Sequence, residues 1–448
     1  METLEKLKSG QLTGQTSLKL CCGLSEFPAE IFELADSLEL LVLSDNQLTG
    51  LPEDFARLKQ LKILFLNNNC FEDFPRVLAD CPRLSMVSFK GNQIKQVDDR
   101  ALSPRFRWLI LTDNQLGALP ASIGKLDRLQ KLMLAGNRLR SLPEEMANCR
   151  NLELIRLSAN QLQQLPQWLF ALPRLSWLAY AGNPFCQAIL AHRPVRSLPK
   201  ICPSALQLGD TLGQGASGII YKGVWETKAE EVAVKIFKGD ITSDGLPADE
   251  MQACIAAGDH PNLVSVLGQL DDAAADTAER KAGLIFSMIP ADYHNLGNPP
   301  SLESCTRDTY SDQTSFTLPI ILKIAQGMAS AAAHLHRCGI MHGDLYAHNI
   351  LVNHQGESFL GDFGAASFYH ADDHADDITL AHTPERLEVR AFGCLLEDLL
   401  DRYSPNSAAP QAEAKAIAQL RSLQQDCMQP NPAKRPLFTH IFQQVSDL

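Results

Sequence analysis

Asparagine recurs through the first half of the chain at Asn46, Asn69, Asn92, Asn114, Asn137, Asn160 and Asn183, every 23 residues with a single 22-residue step. Ahead of each, apolar residues keep a fixed phase, as in Leu61/Leu64/Leu66/Asn69, Leu129/Leu132/Leu134/Asn137 and Leu152/Ile155/Leu157/Asn160. The unit L-x-x-L-x-L-x-x-N predicts a short strand per coil, with the three apolar positions turned inward and stacked into one continuous core. The asparagine amide suits a turn where no regular ladder satisfies the backbone of neighbouring coils. Pro28, Pro52, Pro75, Pro120, Pro143 and Pro166, each after Leu or Phe, open the opposite side of the coil, and the unit closed by Asn92 has Val97-Asp98 in that place. Thr16–Ser37 is one residue short and lacks the asparagine, which predicts an N-terminal cap. The pattern stops after Asn183-Pro184-Phe185. Gln187–Pro203, with Pro194, Pro199 and Pro203 and no period, reads as a capping segment plus linker, placing a domain boundary near Ile201.

The second half has a different texture. Gly213, Gly215 and Gly218 fall in a predicted strand-turn-strand, Val232–Lys235 and Gly283–Phe286 read as strands, and Leu318–Arg337 has alanine-rich helical spacing. Between them, Pro290–Phe316 is rich in Asn, Pro, Ser and Asp and reads as an irregular insertion. A length of 448 residues allows roughly two to four domains. Residues 1–200 carry 24 Lys and Arg against 20 Asp and Glu, while the remainder carries 16 against 32. An acidic second half argues against nucleic acid as its ligand. The N-terminus has no apolar h-region, so no signal peptide is expected, and no apolar run approaches the ~20 residues of a membrane span. The 12 cysteines are scattered, with neither a zinc spacing nor a disulfide framework, which predicts reduced thiols in a cytoplasmic protein.

Four motifs then stand in order: Leu212-Gly-Gln-Gly-Ala-Ser-Gly-Ile-Ile220, Val232-Ala-Val-Lys235, His342-Gly-Asp-Leu-Tyr-Ala-His-Asn349 and Asp362-Phe-Gly364. Together they resemble the protein kinase catalytic domain from about Ser204 to Leu448. The first half resembles leucine-rich repeats, whose period is about 20–29 residues. The expected fold is an α/β leucine-rich repeat solenoid over 1–200, followed by a two-lobed α+β protein-kinase-like domain over 201–448.

The resemblance implies ATP and magnesium as cofactors and gives roles to residues. Leu212, Gly213, Gly215, Gly218 and Ile220 would close over the nucleotide, the glycines letting backbone N–H groups approach the phosphates. Ile220 and Ala233 would cover the adenine from one side and Leu351 from the other. Lys235 would grip the α- and β-phosphates, partnered by a helical glutamate. Glu250 fits best, although its spacing to His260 is one residue longer than is usual in the family, which leaves Asp249 open. Phe286 would stand at the gatekeeper position, with Ser287 to Ile289 bonding adenine through backbone groups. Asp344 would be the catalytic base, and Asn349 and Asp362 would hold the magnesium ions. His342 and Phe363 read as packing residues, and Arg435 as part of a closing signature.

Some positions depart from the resemblance. Gly343 stands where an arginine precedes the catalytic aspartate, Tyr346 where serine/threonine kinases have a lysine, and Glu388 where an aspartate is usual. Loss of that lysine slows transfer unless another cation substitutes. Without the arginine, activity is expected not to depend on phosphorylation of Ser367, Tyr369, Thr379 or Thr383. Three readings stay open: a protein kinase acting on Ser/Thr rather than Tyr, a phosphotransferase acting on a non-protein hydroxyl, and a weakly active or inactive kinase-fold scaffold. On the repeats, residues flanking the second leucine point to the concave face, and Ile63, Phe65, Met86, Trp108 and Ile110 make it apolar. That predicts an exposed patch for a protein substrate or regulator.

Overall fold

The computed structural model describes residues 2–191, 196–215, 217–238, 241–271, 282–370, 383–405 and 410–448. The chain forms two compact units, Met1–Leu175 with Asn183–Phe185, and Ser176–Gly182 with Cys186–Leu448.

In the first unit the strands Ser17–Lys19, Leu40–Val42, Ile63–Phe65, Met86–Ser88, Trp108–Ile110, Lys131–Met133 and Leu154–Arg156 pair in parallel and in register. Their middle residues, from Leu41 through Leu64, Val87, Leu109 and Leu132 to Ile155, have no exposed surface. Proline presets the backbone for the opposite side of the coil, and single 3-10 turns such as Ala29–Leu34, Arg76–Asp80, Ala121–Lys125 and Glu144–Asn148 begin directly after one.

The asparagines join the coils. Asn137 accepts the Leu116 N–H at 3.0 Å and donates to the carbonyls of Leu111 and Leu134 at 2.8 and 2.9 Å. Asn46, Asn69, Asn92, Asn114, Asn160 and Asn183 repeat the arrangement. Each amide therefore serves the preceding coil as well as its own. This explains a difference from the sequence-based expectation. Thr16–Ser37 is not a cap but a first coil: its strand pairs with Leu40–Val42, and its Cys22 and Leu24 N–H groups bond to Asn46. It needs no asparagine because the next coil supplies one. The helix Glu2–Lys8, with Leu7 buried, lies ahead of it.

The concave face is less open than its composition suggests. Ile63, Phe65, Trp108 and Ile110 are half-buried, and Met86 is only 4% exposed. Met86 stands in register between Ile63 and Trp108, whose bulk closes over a flexible side chain. Lys131 lies across the Trp108 ring, its Nζ 4.2 Å from the centroid.

The second unit opens with a six-stranded sheet in the order Leu206–Gln214, Gly218–Trp225, Glu230–Phe237, Gly283–Ser287, Val266–Leu270, Lys200–Ile201. All pairs are antiparallel except the last. Ile201 is buried with Trp225, Val232, Val234 and Ile285, so the end of the expected linker is an edge strand. The helix Pro247–Ala257 interrupts the strands. Among the described residues, four further α-helices follow: Leu318–Arg337, Thr383–Asp401, Pro410–Cys427 and Phe438–Ser446. Leu318–Arg337 is long and apolar enough to cross a membrane by composition, but its Ile321, Ile324, Met328, Ala332 and Leu335 are buried within this unit.

Replacing Asn137 with alanine leaves the buried Leu116 N–H without its acceptor, while the Leu111 and Leu134 carbonyls keep the amides of Asn114 and Asn160, and should cost about 1–3 kcal/mol in urea unfolding followed by circular dichroism. Lys62→Ala, which loses only an exposed pair with Glu39, should cost about 0.5 kcal/mol or less. Equal losses would contradict the assignment of the asparagine ladder as the joint between coils.

Candidate active site

Strand alternation builds the floor of the site. Ala233 and Lys235 share one face of Glu230–Phe237, with Ile220 directly across from Lys235 and Phe286 across from Ala233. Opposite lies the short strand Ile350–Val352, carrying Leu351. Between them opens a cavity of about 650 Å³, lined by Leu212, Ile220, Ala233, Lys235, Glu250, Phe286, Ser287, Ile289, Leu351 and Asp362 among others. Cys254 and Tyr293 also line it and had not been expected there. Gly213, Gly215, Gly218, Asp344 and Asn349 are not part of this lining.

The glycines differ in what they permit. A Cβ at Gly218 would come within 2.5 Å of the Ile236 carbonyl, so close strand packing requires glycine there. A Cβ at Gly213 or Gly215 would meet nothing within 4 Å. These two leave open space, as an approach to phosphates needs. The Ser287 N–H is already given to the Ser265 carbonyl at 3.0 Å, so hinge donors for a base must come from Met288 or Ile289.

Lys235 is ion-paired with Glu250, the helical glutamate, rather than with Asp249. Both begin a helix in its first turn, and only Glu250 faces the strand. The helix ends at Gly258, whose φ is 71°. Burial works against the charge on Lys235, but the carboxylates of Glu250 and Asp362 outweigh it and hold its pKa above the ordinary lysine value. Asp249 is instead pushed up to about 6 by burial.

The loop after Met341 is fixed by hydrogen bonds to its backbone. Glu388 accepts the N–H groups of His342 and Gly343 at 3.2 and 2.6 Å. His342 is fully buried, bonds the Gly361 carbonyl at 2.9 Å and packs on Phe363. Asn349 donates to the Asp344 backbone carbonyl and carboxylate at 2.9 and 3.0 Å, while its own carbonyl accepts the Gly361 N–H at 2.9 Å. Those bonds bring Asp344, Asn349 and the residue before Asp362 together. Asp362 has a φ of 53° and accepts the Gly364 N–H at 3.1 Å.

A family model, the protein kinase domain, matches residues 206–445, more than half of the chain. The chain belongs to the protein kinase family. A leucine-rich repeat model matches residues 16–71, 36–94, 104–162 and 127–185 of this kinase. Similar proteins include a probable serine/threonine-protein kinase of Dictyostelium discoideum, 26% identical over 274 residues covering 54% of this chain and 16% of that one. Cyclin-dependent kinase 12 of Caenorhabditis elegans is 25% identical over 255 residues, covering 52% and 32%. Dual specificity protein kinase shkD of D. discoideum is 26% identical over 289 residues, covering 56% and 36%. The kinase thus spans only 16–36% of the length of these relatives. A leucine-rich repeat protein of Leptospira interrogans, 30% identical and covering 40% of this chain and 46% of that one, superposes with a TM-score of 0.38.

Within the kinase, the departures have physical causes. Gly343 has a φ of 74°, and a Cβ there would come within 2.6 Å of the Ala365 carbonyl, so no arginine fits. Tyr346 is buried and stacked on Trp177, of the same unit, with ring centroids 4.3 Å apart and planes 7° from parallel. The Trp177 indole N–H donates to the Leu345 carbonyl at 3.2 Å. Tyr346 therefore braces the loop where the resemblance implied a lysine. A titratable group stands two residues on. His348 Nδ1 is 2.7 Å from Asp308 Oδ1, and Asp308 also accepts the His348 N–H at 3.2 Å. Burial opposes a charge on His348, but the Asp308 bond and the fields of Asp344 and Asp362 hold its pKa above the ordinary imidazole value.

The insertion that supplies Asp308 is irregular, as expected, yet anchored. Arg307 pairs with Glu397 and Asp398, each at 2.6 Å. Ser367 and Tyr369 are buried, and Thr379 lies outside the described residues. Arg435 is buried and donates to the carbonyls of Gln429 and Arg386 at 2.9 and 3.1 Å.

Gly343→Ala should cost about 1–3 kcal/mol, from the positive φ and the Ala365 overlap, and should lower turnover with it. Thermal unfolding and steady-state rates on one preparation check this. An unchanged melting temperature would contradict the account of this glycine.

Proposed function

We propose that this kinase transfers the γ-phosphoryl group of Mg·ATP to serine or threonine hydroxyls of a protein held by its repeats, in the cytoplasm, where its free cysteines stay reduced. The observation that carries the reading is the Asp344–Asn349 hydrogen bond beside Asp362, close to the Lys235–Glu250 pair. Lys235, fixed by Glu250, is placed to hold the α- and β-phosphates at the inner end of the cavity. Asp344 orients the acceptor hydroxyl and takes up its proton as the oxygen attacks phosphorus.

The residues fit magnesium. Asn349 spends its amide N–H on Asp344, which leaves its side-chain oxygen as a hard donor alongside the Asp362 carboxylate. Bound there, the ion would neutralise charge on the β- and γ-phosphates. His348, whose pKa the Asp308 bond raises, supports activity despite Tyr346, because in its protonated form it would restore a cation near Asp344. The half-buried apolar residues Ile63, Phe65, Trp108 and Ile110 support capture of a protein by the repeats.

Lys235→Met, Asp344→Asn and Asp362→Asn should each lower phosphoryl transfer by several orders of magnitude, a loss on the order of 3–5 kcal/mol. Asp362→Asn should also weaken Mg·ATP binding, whereas Asp344→Asn should leave it nearly intact. In the same transfer assay, Phe65→Ser with Trp108→Ser should spare a generic acceptor and impair the natural substrate. Equal rates for wild type and Asp344→Asn would refute the enzyme, leaving an interaction scaffold. Unimpaired use of the natural substrate by the double variant would refute recruitment alone.

A further inference from the structure

A short strand outside the residues that match the kinase model reaches the site. That match begins at residue 206, yet Trp177–Ala179 lies against the loop that carries Asp344. Leu178 and Tyr180 stand at the apolar positions of the last repeat, but Ser176–Gly182 belongs to the second unit. Trp177 is only 1% exposed, with its indole N–H given to the Leu345 carbonyl and its ring laid flat on Tyr346. On the other side of Asp344, a Cβ at Gly343 would come within 2.5 Å of the Leu178 carbonyl. The Leu178 backbone therefore fills the space that a side chain at 343 would need. Asp344 is bracketed: the residue before it abuts Leu178, and the two after it are bound to Trp177.

The same segment touches a second part of the site. The Tyr180 N–H donates to Ser367 Oγ at 3.0 Å, and the Tyr180 hydroxyl donates to the Phe368 carbonyl at 3.3 Å. All three residues are buried. From Trp177 to Tyr180 the chain thus grips both the loop of Asp344 and the segment that follows Asp362-Phe363-Gly364. Burial alone does not select such contacts. Another large apolar side chain would fill the same space, whereas an indole N–H committed to one carbonyl and a ring stacked on one partner fix position and angle.

We propose that Trp177 is a positioning residue for phosphoryl transfer: with Tyr180 holding the segment after Gly364, it sets the loop of Asp344 from outside the span that matches the kinase model. The proposal rests on the reading of Asp344 as the catalytic base. It requires no phosphate on Ser367, whose hydroxyl already accepts the Tyr180 N–H.

The test compares two variants of the full chain, Trp177→Phe, which keeps a ring and loses the N–H, and Trp177→Leu, which loses both. Turnover should fall about tenfold in the first and about a hundredfold in the second. The KM for Mg·ATP should stay within about twofold in both, since neither Trp177 nor Tyr346 is among the residues lining the cavity. Amide hydrogen exchange at 345–347 should speed up about tenfold in Trp177→Leu, with exchange in the helix Pro410–Cys427 unchanged. Wild-type turnover in Trp177→Leu would overturn the proposal. So would a fall in turnover accompanied by faster exchange throughout the helices, which marks general loosening. If the wild-type protein shows no transfer, the proposed function fails on that result, and exchange at 345–347 still decides whether Trp177 holds the loop.

Discussion

A buried carboxylate fixes the loop that carries Asp344. Glu388 has almost no contact with water, and an unpaired charge there would cost several kcal/mol. It is retained because donors converge on it: His336 on one side, and the consecutive N–H groups of His342 and Gly343 on the other. Burial raises the pKa of such a group, yet His336, His342 and the Gly343 N–H together hold it below the usual carboxylate range. A backbone that turns through a left-handed residue can aim two successive N–H groups at one anion, and Gly343 provides that turn. The glycine that removes the expected arginine is thus the residue that lets the loop grip Glu388.

The remaining site geometry follows from this grip. With residues 342 and 343 fixed, His342 reaches the Gly361 carbonyl, Asn349 holds the Asp344 carboxylate, and Gly361 bonds back to Asn349. Asp362 is thereby set within the field of Lys235, whose charge it supports together with Glu250. Where the resemblance implied a lysine, Tyr346 packs the loop against Trp177, and two residues on the His348 imidazole is tied to Asp308.

Much of this was legible in the sequence, for reasons that differ by region. The asparagine ladder could be read because each coil repeats the same demand, so one period exposes every partner. What a single unit could not reveal is that each amide serves the coil before it, and Thr16–Ser37 was misread as a cap for that reason. Lys235, Asp344, Asn349 and Asp362 stood out because the resemblance fixes residue types at set local spacings, and the structure bonds Asn349 to Asp344. Asp308 was not, since it meets His348 across 40 positions through an insertion with no regular pattern. The Trp177–Tyr346 stack was hidden in the same way: a tryptophan at a repeat position and a tyrosine in a distant loop carry no sign of each other. Met86 was placed on the correct face, but its closure by in-register neighbours depends on side-chain bulk that alternation does not encode.

The account stands or falls on whether the Glu388 carboxylate holds the catalytic loop for transfer. Glu388→Gln keeps the shape but sets an amide NH2 against donors that need an acceptor. Turnover and the Mg·ATP dissociation constant should be measured on the same preparation. The account predicts that turnover falls about a hundredfold while the dissociation constant stays within about threefold, because the nucleotide pocket does not touch Glu388. Wild-type turnover with glutamine in that place would contradict it.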